Sequence, residues 1–298
     1  MSNIKLVIAD EIKFPETKNY IRRKFQIVKE DCQNFKALLE KIGNRKVAVI
    51  HNGPGIGKSA EMAKIGERLK KKHEKKFPLD FLVLMPLKDF HQSYISNEEE
   101  KSDLPIMEDD VIRFICEKIL NISGFNAFVF SQLYKDKRVI FLMDGFDEIC
   151  GKYDKFIIQL FKSIKDSQNM LWISTRDDYL ELLTGGNAND LKLCSEDTKS
   201  LNAIPIELKP FSKDDMDKYL LESLKDSGFK DENLKKTYSE AINFLNAKVF
   251  SYDNPKLIYE LLDYWKTIKK QEPKFFTNNN ERHIFIAHLA RKNVKTEY

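Results

Sequence analysis

Residues Val47 to Met62 read VAVIHNGPGIGKSAEM: a short apolar run, a glycine-rich turn, and Lys-Ser opening a stretch of helical pattern. The apolar run has the length of a buried strand, and the glycines permit backbone angles closed to other residues. Lys-Ser then puts an ammonium and a hydroxyl beside the positive end of a helix. Strand, turn and helix in that order turn several backbone N–H groups towards one place, which is what a phosphate requires. On this reading Lys58 reaches the β- and γ-phosphates of a nucleotide and Ser59 holds Mg²⁺, with Asn52, Gly53, Pro54, Gly55, Ile56, Gly57 and Ala60 completing the loop and the helix start. The usual phosphate loop opens with Gly five residues before Gly57, where this chain has Asn52, with Gly53 one place later. Asn tolerates positive φ better than most residues, so the turn is expected to form around it. A glycine turn that binds nothing is the alternative; the strand before and the helix after weigh against it.

The rest of the chain is ordinary enough to hold such a site in a globular domain. At 298 residues it can build one large core or two smaller ones, and 42% apolar with 32% charged residues fits neither a disordered nor a membrane protein. The longest apolar runs are strand-sized and MSNIKLVIAD lacks the apolar core of a secretory signal, so no membrane association is expected. Cys32, Cys116, Cys150 and Cys194 show no metal-ligand spacing, which points to reduced thiols in the cytoplasm. A net charge of +4 from fifty basic and forty-six acidic residues argues little for nucleic acid. The basic run from Lys70 to Lys76 reads first as the solvated end of the helix that starts at the loop.

Periodicity organises the remainder. Residues 16–42 have helical spacing, with Phe25, Val28, Cys32, Phe35, Leu38 and Leu39 near one face, and Gly43-Asn44 closes that segment. Strands are then expected at 46–51, 80–86, 138–143, 170–175 and 204–208, with helices at 58–72, 109–121, 126–135 and 153–166 between them. Continuous apolar strands alternating with amphipathic helices describe a parallel sheet covered on both faces. The polar stretches Gln92–Asp103 and 185–202 read as surface loops. After Pro210 only helical pattern remains, at 213–226, 231–247, 255–270 and 281–292. The expected organisation is an N-terminal helical extension over 1–42, an α/β domain over 43–210 and a smaller helical domain over 211–298.

A second cluster of chemistry sits at the end of VIFLM, which runs into Asp144-Gly145-Phe146-Asp147-Glu148. In an open parallel sheet ligands bind where strands end, so a strand delivering carboxylates there is a candidate site. Mg²⁺ on nucleotide phosphates needs a hard oxygen ligand, for which Asp144 is placed. Asp147 or Glu148 is placed to orient an attacking water as a general base. A third strand, LWISTR, ends in Arg176, which either senses a γ-phosphate or is a solvated arginine balanced by Asp177 and Asp178. Asn254-Pro255 has the chemistry of a helix start, Asn as N-cap and Pro at the first position. His283 and His288 lack metal spacing, and Phe275-Phe276 reads as core.

Taken together, NGPGIGKS, FLMDGFDEI, WISTR, IELKPFSKDDMDKYL and Asn254-Pro255-Lys256-Leu257 resemble the NACHT family of signal-transduction NTPases, switch ATPases of the STAND class found in innate-immune sensors. The strand ending Asp-Gly-x-Asp-Glu is the most telling segment, and the match spans roughly Arg45 to Leu262. The resemblance implies a three-layer α/β sandwich with a parallel sheet, a P-loop NTPase fold of the ASCE type, followed by a helical lid whose Pro255 approaches the nucleotide base. It implies ATP and ADP with Mg²⁺ as ligands and slow ATP hydrolysis. It further implies an ADP-bound closed state, exchange for ATP once an upstream ligand is sensed, and self-oligomerisation through the NTPase domain. Neither an effector before the NTPase nor a repeat sensor after the lid is evident, so the expectation is either a fragment of a longer receptor or a minimal member, the fragment being favoured.

Two other functional classes fit parts of the pattern. A constitutive P-loop motor or remodeller acting on nucleic acid or protein would show fast, substrate-stimulated turnover. A scaffold with structural nucleotide would not need Lys58, Ser59, Asp144, Asp147 and Glu148 all in place. Every reading that includes nucleotide depends on Lys58: Lys58→Ala is expected to abolish tight nucleotide binding, measured by calorimetric titration with ADP, and unchanged affinity would remove the site assignment.

Overall fold

The computed structural model describes residues 20–27, 30–32, 34–42, 47–76, 81–88, 108–149, 154–184, 203–226, 239 and 262–263. The helices expected over 231–247, 255–270 and 281–292, and both expected surface loops, lie almost wholly outside them. Two compact units emerge, the larger built mainly on Arg22–Gly53 and Lys58–Lys209 and the smaller on Pro210–Tyr298.

The larger unit is a seven-stranded, mostly parallel sheet between layers of helix. Its strands are β1 (Phe25–Ile27), β2 (Glu30–Cys32), β3 (Val47–His51), β4 (Phe81–Pro86), β5 (Val139–Asp144), β6 (Met170–Thr175) and β7 (Ile204–Leu208), in the spatial order β2-β1-β7-β3-β6-β5-β4. From β7 to β4 all pairings are parallel. The helices are α1 (Phe35–Ile42), α2 (Lys58–Lys76), α3 (Glu108–Phe114, continued by a π-helical turn Ile115–Ile119), α4 (Gly124–Lys135), α5 (Asp154–Asp166) and α6 (Leu180–Thr184). The α/β sandwich expected from alternating apolar strands and amphipathic helices is the observed fold.

Alternation across the strands sorts the core into two faces. Val47, Val49, Val83, Phe141, Met143, Leu171 and Ile173 form one face, packed with Val111 and Ile115 of α3, Phe130 and Tyr134 of α4, and Leu160, Phe161 and Ile164 of α5. On the other face the Trp172 ring lies 6.3 Å from Phe35 of α1, and the Arg68 guanidinium of α2 stacks 5.4 Å from the same Phe35 ring. The central strands β3, β5 and β6 are buried along nearly their whole length, which is why their sequences are unbroken apolar runs.

One expected element is different. The helical spacing over 16–42 becomes helix only from Phe35; Phe25–Ile27 and Glu30–Cys32 pair as antiparallel strands, with Phe25 opposite Cys32. β1 also pairs antiparallel with β7, through Phe25 to Leu208. Phe25, Ile27 and Cys32 are all buried. The backbone edge of β7 offers hydrogen bonds that a helix could not use, and tertiary pairing overrides a local 3.6-residue pattern. The short β1 also accommodates Pro205 within β7, because it pairs only with Glu207 and Leu208 and leaves the proline position unopposed on that side.

The smaller unit carries α7 (Lys213–Asp226), which buries Met216, Leu220 and Leu224. Ser212 and Asp215 cap it reciprocally: Asp215 N–H donates to Ser212 Oγ at 3.2 Å and Ser212 N–H to Asp215 Oδ2 at 3.0 Å.

The starts of β5 and β6 share one polar anchor. Asn169 is fully buried; its Nδ2 donates to the Tyr134 carbonyl and to Ser167 Oγ, both at 2.9 Å, and its Oδ1 accepts from Val139 N–H at 2.9 Å. Asn169→Ala strands a buried donor and a buried acceptor, so it is expected to lower stability by about 2–3 kcal/mol, read as a lower urea midpoint at unchanged slope.

Candidate functional site

β3 delivers the chain into the loop at Asn52, and α2 begins at Lys58. Gly55 and Gly57 take positive φ, 73° and 97°, so the glycine spacing serves backbone angles that side chains resist. Asn52 is not among the non-glycine residues with positive φ, which in the described residues are Asn121, Lys137 and Gln168. The expectation that Asn52 substitutes for glycine through its backbone is therefore corrected. It acts through its amide: Nδ2 donates to the Leu208 carbonyl at the end of β7 at 3.0 Å, and Oδ1 accepts from Gly53 N–H at 2.5 Å. Lys58 Nζ donates to the carbonyls of Asn52 and Gly53, at 2.8 and 2.9 Å. Burial pushes the Lys58 ammonium below its ordinary value; the carboxylates of Asp147, Asp177 and Asp144 oppose that shift and Arg176 adds to it. Pro54 is exposed, Ile56 buried, Ala60 half-buried and Ser59 exposed on the first turn of α2.

β5 ends at Asp144 beside β6, and the two strand ends are cross-linked by side chains. Ser174 Oγ accepts from Gly145 N–H at 2.8 Å and donates to Asp144 Oδ1. Gly145 has φ 83°, and a Cβ on it would come within 3.3 Å of the Glu148 side chain. The glycine of Asp-Gly-x-Asp-Glu thus lets the chain turn left-handed while Glu148 folds back over it. Phe146 between the carboxylates is buried against Phe161, which anchors the turn.

Asp147 is almost wholly enclosed, with a side chain 7% exposed, and its Oδ2 meets Arg176 Nε at 2.7 Å. The reading of Arg176 as balanced by Asp177 and Asp178 is thereby corrected in its partner: the carboxylate that meets it comes from the turn after β5. Asp177 instead faces His51 Nδ1 at 2.8 Å. Burial raises the Glu148 carboxyl above its ordinary value; Lys88 opposes this, Asp147 and Asp144 add to it, and Arg176 opposes it.

The structure therefore gathers Asn52, Gly53, Lys58, Asp144, Asp147, Glu148 and Arg176 at the C-terminal ends of β3, β5 and β6. Pro255 and its neighbour Asn254 lie outside the described residues. Ser174 and His51 were not singled out from sequence. The signal for each was its position, a hydroxyl two residues before Arg176 and a ring immediately before the loop.

Among the described residues no cluster of three or more His, Cys, Asp or Glu is placed to hold a metal alone. Ser59 and Asp144 would offer a divalent ion two protein oxygens, a small hard donor set of the kind that suits Mg²⁺, which keeps several of its waters. No described helix is long and apolar enough to cross a membrane.

A family model described as the NACHT domain matches residues 46–227. No curated protein matches the sequence. Among solved structures the chain is similar to a crystal structure of a DNA replication initiation factor, at 16% identity and a TM-score of 0.45, covering 78% of this chain and 58% of that one. It is also similar to AMPPCP-bound DnaA from Aquifex aeolicus, at 14% identity and a TM-score of 0.38, covering 85% and 73%. The chain thus spans little more than half the length of the first of these structures.

Ser174 is buried and joins Asp144 to the backbone of the turn. Ser174→Ala leaves Gly145 N–H without its acceptor and is expected to cost about 1–3 kcal/mol in chemical denaturation.

Proposed function

The chain belongs to the NACHT domain family, and on that premise we propose that it is an ATP-binding switch, held by ADP, reset by slow hydrolysis and self-associating through its NTPase domain when activated. The observation that carries the reading is the meeting of a half-buried, loop-held Lys58 with three carboxylates at one edge of a parallel sheet. A partly buried ammonium gains from a polyanionic ligand, and a divalent ion arriving with that ligand would offset the repulsion from the acidic groups nearby. Ser59 and Asp144 would hold Mg²⁺, which would neutralise charge on the nucleotide phosphates. ATP is preferred to GTP on family grounds, and no Asn-Lys-x-Asp guanine motif occurs in the sequence.

Division of labour between the two remaining carboxylates follows from their surroundings. Asp147 is committed to Arg176 and acts as its orienting partner. Glu148, more exposed and with its carboxyl raised, is the general base: a weaker acid is the better proton acceptor near neutral pH. Arg176, held through Nε, presents its terminal N–H groups to the γ-phosphate. We assign residues 43–210 to the NTPase domain and 211–298 to a lid in which Asn254-Pro255 approaches the base. The free, buried thiols of Cys32 and Cys116 suit a cytoplasmic protein. An upstream ligand, sensed elsewhere, would bias exchange between the two nucleotide states.

Denaturing protein purified without added nucleotide is expected to release near-stoichiometric ADP. Nucleotide-free protein that hydrolyses ATP rapidly would replace the switch by a constitutive motor. In single-turnover assays Glu148→Gln should bind ATP normally and hydrolyse it about 100-fold more slowly. The wild-type rate should fall as pH drops through the Glu148 carboxyl, at a pH above the ordinary glutamate range because that carboxyl is raised. Loss of turnover in Asp147→Asn with Glu148→Gln unaffected would reverse the assignment of the base.

A further inference from the structure

His51 has been given no role so far, yet it closes a chain of contacts around Arg176. It is the last residue of β3, in register with Thr175 at the end of β6, and its side chain is 15% exposed. Its Nδ1 lies 2.8 Å from Asp177 Oδ1; facing a carboxylate, that nitrogen is the protonated one. Beyond Thr175 the backbone of Arg176 is extended, and Asp177–Tyr179 form a single 3₁₀ turn closed by Tyr179 N–H on the Arg176 carbonyl at 3.1 Å. Two adjacent residues therefore grip the two neighbouring strands. Arg176 holds Asp147 after β5, and Asp177 holds His51 on β3.

The physical need for the second grip lies in the arginine. Its side chain is 46% exposed and has many accessible rotamers, so one contact at Nε does not by itself fix where the guanidinium fork points. Fixing the backbone on which it stands removes part of that freedom in advance. His51 also precedes Asn52, whose carbonyl receives Lys58 Nζ. The same short stretch of β3 thus sets both the loop lysine and, through Asp177, the arginine.

We infer that His51 is a positioning residue that acts through Asp177 to hold Arg176 for the γ-phosphate, and so sets the preference of the site for a nucleoside triphosphate over a diphosphate. The inference rests on the nucleotide site proposed above. ADP lacks the group that Arg176 meets, so loss of positioning reduces triphosphate affinity selectively. A purely structural His51 would reduce both affinities together.

The test is calorimetric titration of wild type, His51→Leu, His51→Asn and Asp177→Ala with MgADP and with a magnesium-bound, non-hydrolysable ATP analogue. His51→Leu is expected to lose about tenfold in affinity for the analogue while ADP affinity stays within about twofold. His51→Asn, which keeps an N–H donor near the Nδ1 position, should restore most of the preference. Asp177 is 57% exposed, so Asp177→Ala keeps the fold and must reproduce the selective loss whatever the stability of His51→Leu. Equal loss for both nucleotides, or no loss, overturns the positioning role while leaving the nucleotide site intact. Wild-type protein that binds neither nucleotide overturns the site and this inference with it.

Discussion

The parallel pairing of β6 with both β3 and β5 is the constraint on which the site depends. β6 lies between the two strands that carry the loop and the carboxylates, with His51 opposite Thr175 on one side and Met143 opposite Ile173 on the other. Because the three strands run the same way in near-level register, their C-terminal ends meet at one edge, and groups far apart in the chain come within hydrogen-bonding distance. Parallel pairing requires burial on both faces, and the unbroken apolar sequences of these strands supply it.

That edge concentrates charge, and pairing manages the cost. An isolated buried charge is expensive, whereas a paired and hydrogen-bonded one is tolerable. Lys58 is bonded to two carbonyls, Asp147 to Arg176, Asp144 to Ser174 and His51 to Asp177. The pairs join strand to strand: Ser174 and Arg176 tie β6 to the end of β5, His51 and Asp177 tie β3 to β6, and the Asn52 amide ties β3 to β7. A ligand that competes for one of these groups therefore acts on a connected set. This is the kind of element from which a switch can be built, since a small change in charge shifts several contacts together.

Much of the architecture was legible in the sequence because it is encoded locally. The strands at 170–175 and 204–208 and the helix at 213–226 have the expected bounds, β3 and β4 differ from expectation by one residue at one end, and β5 is shifted by one residue at both ends. The hairpin of β1 and β2 was not legible. Phe25, Val28 and Cys32 satisfy a helical face as readily as Phe25, Ile27 and Cys32 satisfy a buried strand pair, and only the open edge of β7 decides between them. The role of Asn52 is hidden from the sequence for a related reason. The loop alone points to its backbone angle, whereas its amide answers to a carbonyl on another strand.

The sequence by itself determined which residue types stand at strand ends: the glycines of the loop, Lys58 and Ser59 at the head of α2, the carboxylates after β5 and the arginine after β6. It could do so because strand, turn and helix-start chemistry act over a few neighbouring residues. Only the tertiary structure decided that Asp147 rather than Asp177 meets Arg176, that Asp177 meets His51, and that Asn52 reaches Leu208. Asn52 and Leu208 are 156 positions apart, and His51 and Asp177 are 126 apart. No local pattern specifies a partner at that distance; the order of strands in the sheet does.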